Sequence, residues 1–438
     1  MKPRDILEID YFILLPVMVL ITIGILFIYS SGINSSGVLV SNEYIKQIVW
    51  ASIGLAAALV LSMVNYRRFY NFSLYLYLLA LVPLLYTLFF GRLIHGTRWL
   101  RIGIFGIQTS EFAKITTIIF LSRYLTETRQ SVNNFVRFIV SCFIVLVPMG
   151  IVLVQPDLGT ALVFIPILLS VTFIAGLSMR YMVFAISCIS LIGLLTVLPL
   201  WQMHILRRSL PALVVLTNAR VIVIIVLALS IIMAIALFGY LKYHKRYFYW
   251  MVYVVAIITF SLGASYAARS VLKNYQIMRL IVFLDPNVDP RGAGWNIIQS
   301  ITAIGAGGVT GQGFLQGTQS HYRYLPEQST DFIFSIFSEE MGFVGGIAVF
   351  AMYLIICLRF MRIIKITADP FATYICAGLA GMFSFHFFVN VGMTMGIMPI
   401  TGIPLLFMSY GGSSLMSAMM GVGLVLSIHV RRYTPQPL

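Results

Sequence analysis

Long apolar runs separated by short polar linkers dominate the chain, and their length sets the fold class. They lie near 11 to 31, 45 to 63, 71 to 89, 111 to 126, 137 to 154, 158 to 176, 182 to 200, 219 to 240, 249 to 268, 332 to 358, 371 to 395 and 404 to 428. Most come close to the roughly 20 residues with which a helix crosses about 30 Å of hydrocarbon. Backbone amides in lipid must be satisfied within one segment, and runs this long and uniformly apolar lack the period-two alternation of barrel strands. The pattern predicts an all-α polytopic membrane protein, a single integral membrane domain over 1–438, with twelve spans, or ten to eleven if a run is only partly inserted.

An even number of spans puts both termini on one side. The linkers of that side read YRRFY from Tyr66, KYHKRYF from Lys242, RFMRIIK from Arg359 and the terminal HVRRY. By the positive-inside rule both termini are expected in the cytoplasm. Lys2 and Arg4 precede a first run that no small-residue cleavage pattern ends, so this run is expected to stay as an anchor.

Composition changes the picture at one face. Hydrophobic residues make up 60% of the chain and charged residues 10%, with a net charge of +15. Sixteen of the 29 Lys and Arg fall on the inferred cytoplasmic side, which leaves an unusually cationic outer face. Either long loops scatter charge without regard to topology, or clustered cations there attract an anionic ligand such as phosphate. No feature points to nucleic acid. Glu43, Glu111, Asp157, Asp285, Asp289, Glu327, Asp331, Glu339 and Glu340 also fall toward that face. Ionisable groups near lipid are costly, so those close to spans are expected to face a cavity or a partner. The four cysteines sit in apolar runs without metal-ligand spacing and read as packing residues.

Four outer segments carry the polar chemistry. In GRLIHGTRWLRIGIFGIQTSEFAK, Arg98, Trp99 and Arg101 are expected in a loop, and Thr109 or Ser110 is placed to cap a helix. Glu111 and Lys114 share one face of that helix, either as a simple ion pair or with the ammonium turned to a phosphate. In QPDLGTA, Pro156 ends one helix and Asp157 can cap the next; Gln155 and Asp157 also suit a ligand hydroxyl. The long polar stretch from Asp285 to Asp331, approached through Arg269, Lys273 and Arg279 on an expected helix, is rich in glycine. Its GAG and GAGGVTGQG runs lack the strand-then-helix context of a nucleotide fingerprint, so no ATP or NAD site is read there; they are expected to let a loop fold back at the membrane interface. Glu327 and Asp331 stand either at a helix start or in the cavity, and Glu339 and Glu340 are expected to make buried polar contacts. In NVGMTMGIMPITGIPLLFMSYGGSS, Gly402, Pro404, Gly411 and Gly412 interrupt a span, with Tyr410 and Ser413 as polar candidates.

Taken in this order, GTRWLRIGIFGIQTSEFAK, QPDLGTALVF, FLDPNVDPRGAGWNIIQSITAIGAGGVTGQG with GTQSHYRYLPEQSTDFIF, and NVGMTMGIMPITGIPLLFMSYGGSSL resemble the SEDS family of bacterial peptidoglycan polymerases. The match runs from about residue 11 to the C-terminus, and GTQS, with Gln319, is closer to the elongation branch than to the division branch. Thr109 departs from the family's usual proline. The region 200–250 looks like an additional helical segment, two spans beyond a ten-helix family core.

The resemblance implies a glycosyltransferase that joins lipid II, a disaccharide-pentapeptide on undecaprenyl pyrophosphate, into glycan at the outer face of the cytoplasmic membrane, in support of cell elongation and shape. It implies catalysis in a large extracytoplasmic loop, 269–331, with Asp289 essential. The chemistry expected is an inverting displacement in which Asp289 is the general base for the acceptor hydroxyl, while Lys114, Arg98, Arg101 and Arg279 stabilise the departing pyrophosphate. Asp285 is an orienter or only a turn residue. Trp99, Glu111, Gln155, Asp157, Gln319, Glu327, Asp331 and Tyr410 complete the expected substrate-binding set. No ligand motif requires a metal, although carboxylates such as Asp289, Asp157 or Glu111 are of the type that holds Mg or Mn. The implied partners are a class B penicillin-binding transpeptidase and the elongation machinery. A flippase for lipid-linked sugars and a noncatalytic scaffold of a cell-wall complex are the alternatives; a flippase predicts carboxylates along a path through the bilayer, whereas these crowd one face.

Overall fold

The structure is a computed structural model that describes residues 10–94, 98–102, 105–206, 213, 216, 218–272 and 274–432. A helix stands at each of the twelve apolar runs: α1 (Tyr11–Ser31), α2 (Glu43–Met63), α3 (Arg68–Ile94), α4 (Thr109–Glu127), α5 (Asn134–Val154), α6 (Leu158–Ile174), α7 (Met179–Trp201), α8 (Ala219–Tyr243), α9 (Arg246–Val271), α13 (Ile333–Ile366), α14 (Pro370–Thr394) and α15 (Gly412–Val430). The shorter helices α10 (Asn274–Leu284), α11 (Ala293–Gly307) and α12 (Thr318–His321) complete the order, with the strands β1 (Trp99–Ile102) and β2 (Phe105–Gln108) between α3 and α4. Ten helices among the described residues are long and apolar enough to cross a membrane, and the chain is a multi-pass membrane protein. The two runs that fall short do so for different reasons. α6 has only 17 residues, whereas α4 carries Glu111, Lys114 and Arg123 along its length.

Helix starts follow the sequence closely. Asp10, Asn133, Asp157, Asn218 and Asp369 each accept a hydrogen bond from an amide in the first turn of the helix they precede, at 3.0–3.2 Å. Such a cap satisfies one of the orphan donors of a helix end and contributes about 1 kcal/mol.

The chain groups into two compact units, Met1–Leu177 with Asn296–Leu438, and Ser178–Trp295. In the first, α2 lies along α15, α14 against α6 and α13, and α13 against α1. α13 is broken at Gly342, whose φ of 63° is left-handed, so the segment bearing Glu339 and Glu340 is set off from the long apolar remainder. Arg359 donates to Asp10 Oδ2 through Nε at 2.9 Å and Nη2 at 2.6 Å, joining α13 to the start of α1. In the second unit α8 and α9 form a hairpin, α9 lies on α7, and α10 also contacts α7.

Three expectations about the polar segments change. The stretch from Asp285 to Asp331 is not one loop, because α11 occupies fifteen of its residues. Glycine serves close approach there: a side chain on Gly307 would strike the Ser338 backbone. Residues 99–102 and 105–108 pair as antiparallel strands rather than lying in an irregular loop, with Trp99 opposite Gln108 and Arg101 opposite Gly106. WLRI and FGIQ hold the β-branched and aromatic residues that suit a pleated surface. The single helix expected over Tyr266 to Arg279 is broken between Val271 and Asn274; Lys273 lies outside the described residues, as do Lys2 and Arg4.

Candidate functional site

In the first unit a cleft of about 650 Å³ opens between the β1–β2 hairpin, the turn before α13 and the segment before α15. Its walls include Arg98, Trp99, Glu327, Asp331 and Tyr410 from the expected set. Lys46 and Trp50 of α2, with Gln108 of β2, join them, and none of these three was singled out from sequence. The available signal was a lone lysine near the start of an apolar span, where a charge needs a reason.

Hydrogen bonds fix each wall. Arg98 Nε donates to the Gln155 carbonyl at 3.2 Å, its Nη2 donates to the Pro156 carbonyl, and Asp157 Oδ2 lies 4.0 Å from Nη1. The guanidinium therefore ties the cleft edge to the α5–α6 turn. Asp157 caps α6 and also accepts from Gln108 Nε2 at 2.9 Å. Thr109 and Ser110 do not cap α4: the N-cap is Gln108, whose amide donates to Ser413 Oγ at 2.9 Å. Glu327 and Asp331 both precede α13, which starts at Ile333 after the N-cap Phe332. The turn between them is pinned by Ser329 Oγ to Glu43 at 2.6 Å, by Gln328 Nε2 to the Ser31 carbonyl at 2.6 Å, and by the Tyr410 amide to the Ser329 carbonyl at 2.8 Å. Burial, with the negative charge of Glu43 adding to it, raises the Tyr410 phenol above its ordinary range. Tyr410 is thus a neutral hydroxyl at physiological pH.

Other members of the expected set lie elsewhere. Glu111 and Lys114 form an ion pair at 2.9 Å with both side chains almost fully buried. Ser417 Oγ donates to the second Glu111 oxygen at 3.0 Å, and Lys114 Nζ lies 3.2 Å from His386 Nε2. The ammonium is turned to these partners. Gln155 is buried too, its amide donating to the Leu84 carbonyl at 2.7 Å and to Thr87 Oγ1 at 3.0 Å. Gln319 sits in α12, where its backbone N–H donates to Glu339 Oε1 at 2.8 Å. Glu339 also binds Thr318 and Ser320, while Glu340 accepts from Ser30 and from the Leu315 amide, so the two glutamates clamp residues 315–320. The side chain of Arg101 lies outside the described residues.

Asp289 and Arg279 belong to the second unit. Asp285 accepts from the Asn287 amide at 2.9 Å, which starts a short 3₁₀ turn at Pro286–Val288 that Asp289 ends. The Gly292 and Gly294 amides donate to the Asp289 carbonyl at 3.3 and 3.0 Å. A β-carbon on Gly292 would collide with both Asp289 carboxylate oxygens, and one on Gly294 with the carbonyls of Pro286 and Asp289. The two glycines are what let this carboxylate lie over the start of α11. Asp289 is half-buried, and Arg279 stacks its guanidinium 5.7 Å from the Tyr275 ring centre. Among the described residues, no three His, Cys, Asp or Glu side chains gather as a metal-binding group.

The family model FTSW_RODA_SPOVE, described as a cell cycle protein, matches residues 11–210 and 200–434. The chain is 49% identical over 434 residues to the peptidoglycan glycosyltransferase RodA of Treponema pallidum (strain Nichols), covering 99% of this chain and all of the relative. It is 32% identical to the peptidoglycan glycosyltransferase MrdB of Escherichia coli (strain K12), over 98% of this chain and 95% of that one. Among solved structures, a chain from a peptidoglycan synthase complex described as coordinating polymerization and crosslinking superposes with a TM-score of 0.67 at 24% identity, over 98% of this chain and 99% of the other. The rod shape determining protein RodA of Thermus thermophilus gives 0.58 at 22% identity, covering 98% of both chains.

Proposed function

The chain belongs to the FtsW, RodA and SpoVE family and is a RodA-like peptidoglycan glycosyltransferase, and from that premise we propose that it polymerises lipid II at the outer face of the cytoplasmic membrane, with both termini in the cytoplasm. The acceptor sugar hydroxyl attacks the anomeric carbon of the donor, its proton passes to Asp289, and the bond to the lipid pyrophosphate breaks as the glycosidic bond forms. Inversion at the anomeric carbon follows from a single displacement. A positioned base of this kind contributes roughly 10²–10⁴-fold.

The observation that carries the assignment is the turn around Asp289. Asp285 uses an oxygen to hold the Asn287 amide, a structural role, whereas Gly292 keeps clear the space that the Asp289 carboxylate occupies. Arg98 and Lys46 in the first-unit cleft are the cations proposed to meet the pyrophosphate; Arg101 and Arg279 remain in the proposed set. Charge develops on the leaving oxygens in the transition state, and fixed cations in a partly dry cleft stabilise it strongly. Tyr410, Trp99, Glu327 and Asp331 are proposed to contact the sugar and peptide portions. Glu111 and Lys114, paired to each other, are proposed to position the hairpin and α15 through Ser417. The proposed displacement uses side chains of this chain alone; among the described residues no three donor side chains gather as a site for Mg or Mn. A class B penicillin-binding transpeptidase and the elongation machinery are the proposed partners, and undecaprenyl-pyrophosphate-linked glycan the product.

Labelled lipid II given to the purified chain in detergent, alone and with its transpeptidase, tests this reading. Long glycan from the wild type and none from Asp289→Ala, with the variant still folded and bound to its partner, is the expected result. Polymer from Asp289→Ala at the wild-type rate overturns the assignment of the base.

A further inference from the structure

From Leu158 to Leu284 the sequence contains no aspartate or glutamate at all, across 127 residues that hold ten Lys and Arg. Among the described residues, no ion pair joins a cation of the second unit to a carboxylate. Four of these cations converge on one end of the helices. Lys242 ends α8, Lys245 and Arg246 begin α9, and Arg180 lies in the first turn of α7. The Tyr253 hydroxyl of α9 donates to the Arg180 carbonyl at 2.7 Å, and the Arg180 guanidinium stands 5.6 Å from the Tyr249 ring centre. Lys242, Lys245 and Arg246 are all exposed.

The tip that carries them is rigidly made. His244 takes a left-handed φ of 49° at the end of α8, which turns the chain straight into α9. The Phe248 ring lies so close to Gly239 that a β-carbon there would sit 2.6 Å from it, so the hairpin closes only on glycine. Exposed Tyr243, Tyr247 and Trp250 ring the same tip, with Phe248 between them, its ring 4.2 Å from that of Tyr247. Amphipathic aromatic side chains of this kind settle at the headgroup level of a bilayer. Along most of its length α8 is exposed and apolar, with only Ile222, Ala236 and Gly239 buried, as a lipid-facing helix requires.

We propose that the α8–α9 tip, through Lys242, Lys245 and Arg246 with Arg180 behind them, is a binding site for anionic phospholipid headgroups. Charge complementarity selects this occupant: uncompensated cations held at headgroup depth by an aromatic belt attract phosphate, and each Lys or Arg near an anionic surface favours binding by about fivefold. A zwitterionic headgroup offers no net charge in return. Binding there would hold the second unit at a fixed depth and depends on no residue of the proposed catalytic set.

Native mass spectrometry of the detergent-purified full chain, titrated separately with phosphatidylglycerol and phosphatidylcholine, tests the site. The wild type is expected to bind phosphatidylglycerol in clear preference, and Lys245→Gln to lose about fivefold of that affinity. The Lys242→Gln/Lys245→Gln/Arg246→Gln variant is expected to lose the preference almost entirely, and Lys242→Arg/Lys245→Arg to keep it. Melting temperature and lipid II polymerisation in detergent are read in parallel and should match the wild type. Equal affinity of the wild type for the two lipids, or unchanged phosphatidylglycerol binding by folded Lys245→Gln, overturns the proposal. Either result leaves the glycosyltransferase reading untouched.

Discussion

The two units treat carboxylates in opposite ways. In the first, acids are built into the structure: Asp10 holds Arg359, Glu111 holds Lys114 and Ser417, Asp157 caps α6, and Glu339 and Glu340 clamp the chain from Leu315 to Ser320. The second has none until Asp285, which makes a turn, and Asp289, which lies against glycine. The difference separates acids whose side-chain bonds fix a scaffold from one whose position depends on the absence of a side chain at Gly292.

The largest effect that can break this contrast is expected at the buried pair. Glu111→Ala or Lys114→Ala strands a charge where burial is nearly complete, and roughly 3–5 kcal/mol of stability should be lost, read as a fall in melting temperature in detergent. Glu111→Leu with Lys114→Met should recover most of that stability. If the single variants melt like the wild type, the pair is not structural and Lys114 returns as a candidate for phosphate.

Next in size is Gly292→Ala. Its β-carbon displaces the Asp289 carboxylate, and a shift of about 1 Å at a reacting group lowers the rate on the order of 100-fold. Melting should be unchanged, since Gly292 is exposed. A variant that polymerises normally would show that the carboxylate need not lie where the glycine lets it.

Asp157→Ala is a smaller test from the first unit. It removes a cap and the Gln108 contact, with an expected loss of about 1 kcal/mol of stability. Smallest is Tyr410→Phe, which deletes one hydroxyl in the cleft and should lower kcat/KM about fivefold, the worth of one hydrogen bond. The sign of its pH dependence follows from burial and Glu43: with the folded pKa raised, the neutral hydroxyl persists above the ordinary phenol pKa and is lost as pH rises through the folded value. The difference between wild type and Tyr410→Phe should therefore hold across pH 6–9 and shrink only in stronger alkali.

The helices were legible because lipid enforces them. Twelve apolar runs became twelve helices, since a buried amide in hydrocarbon has no alternative partner. Local chemistry was legible where one side chain acts on its own backbone, as with the Asp157 cap and the Asp285 turn. What sequence did not disclose depends on contacts between distant segments. Glycine in GAGWNIIQSITAIGAG read as a loop, yet Gly307 serves the close crossing of α11 with α13, a fact set by Ser338 far along the chain. Lys46 and Gln108 joined the cleft only once α2 and the hairpin were brought to the same wall. Gln155 left it because Leu84 and Thr87 of α3 offered its amide two acceptors.

The measurement that bears most directly on the central claim compares Asp289→Asn with Asp285→Asn in lipid II polymerisation, each with the transpeptidase bound and melting checked. Asparagine keeps the shape of both side chains and can still accept the Asn287 amide at position 285, but it cannot take a proton at 289. Asp289→Asn should be slower by roughly 10²–10⁴-fold while Asp285→Asn stays near the wild type. Near-normal polymer from Asp289→Asn would contradict the account.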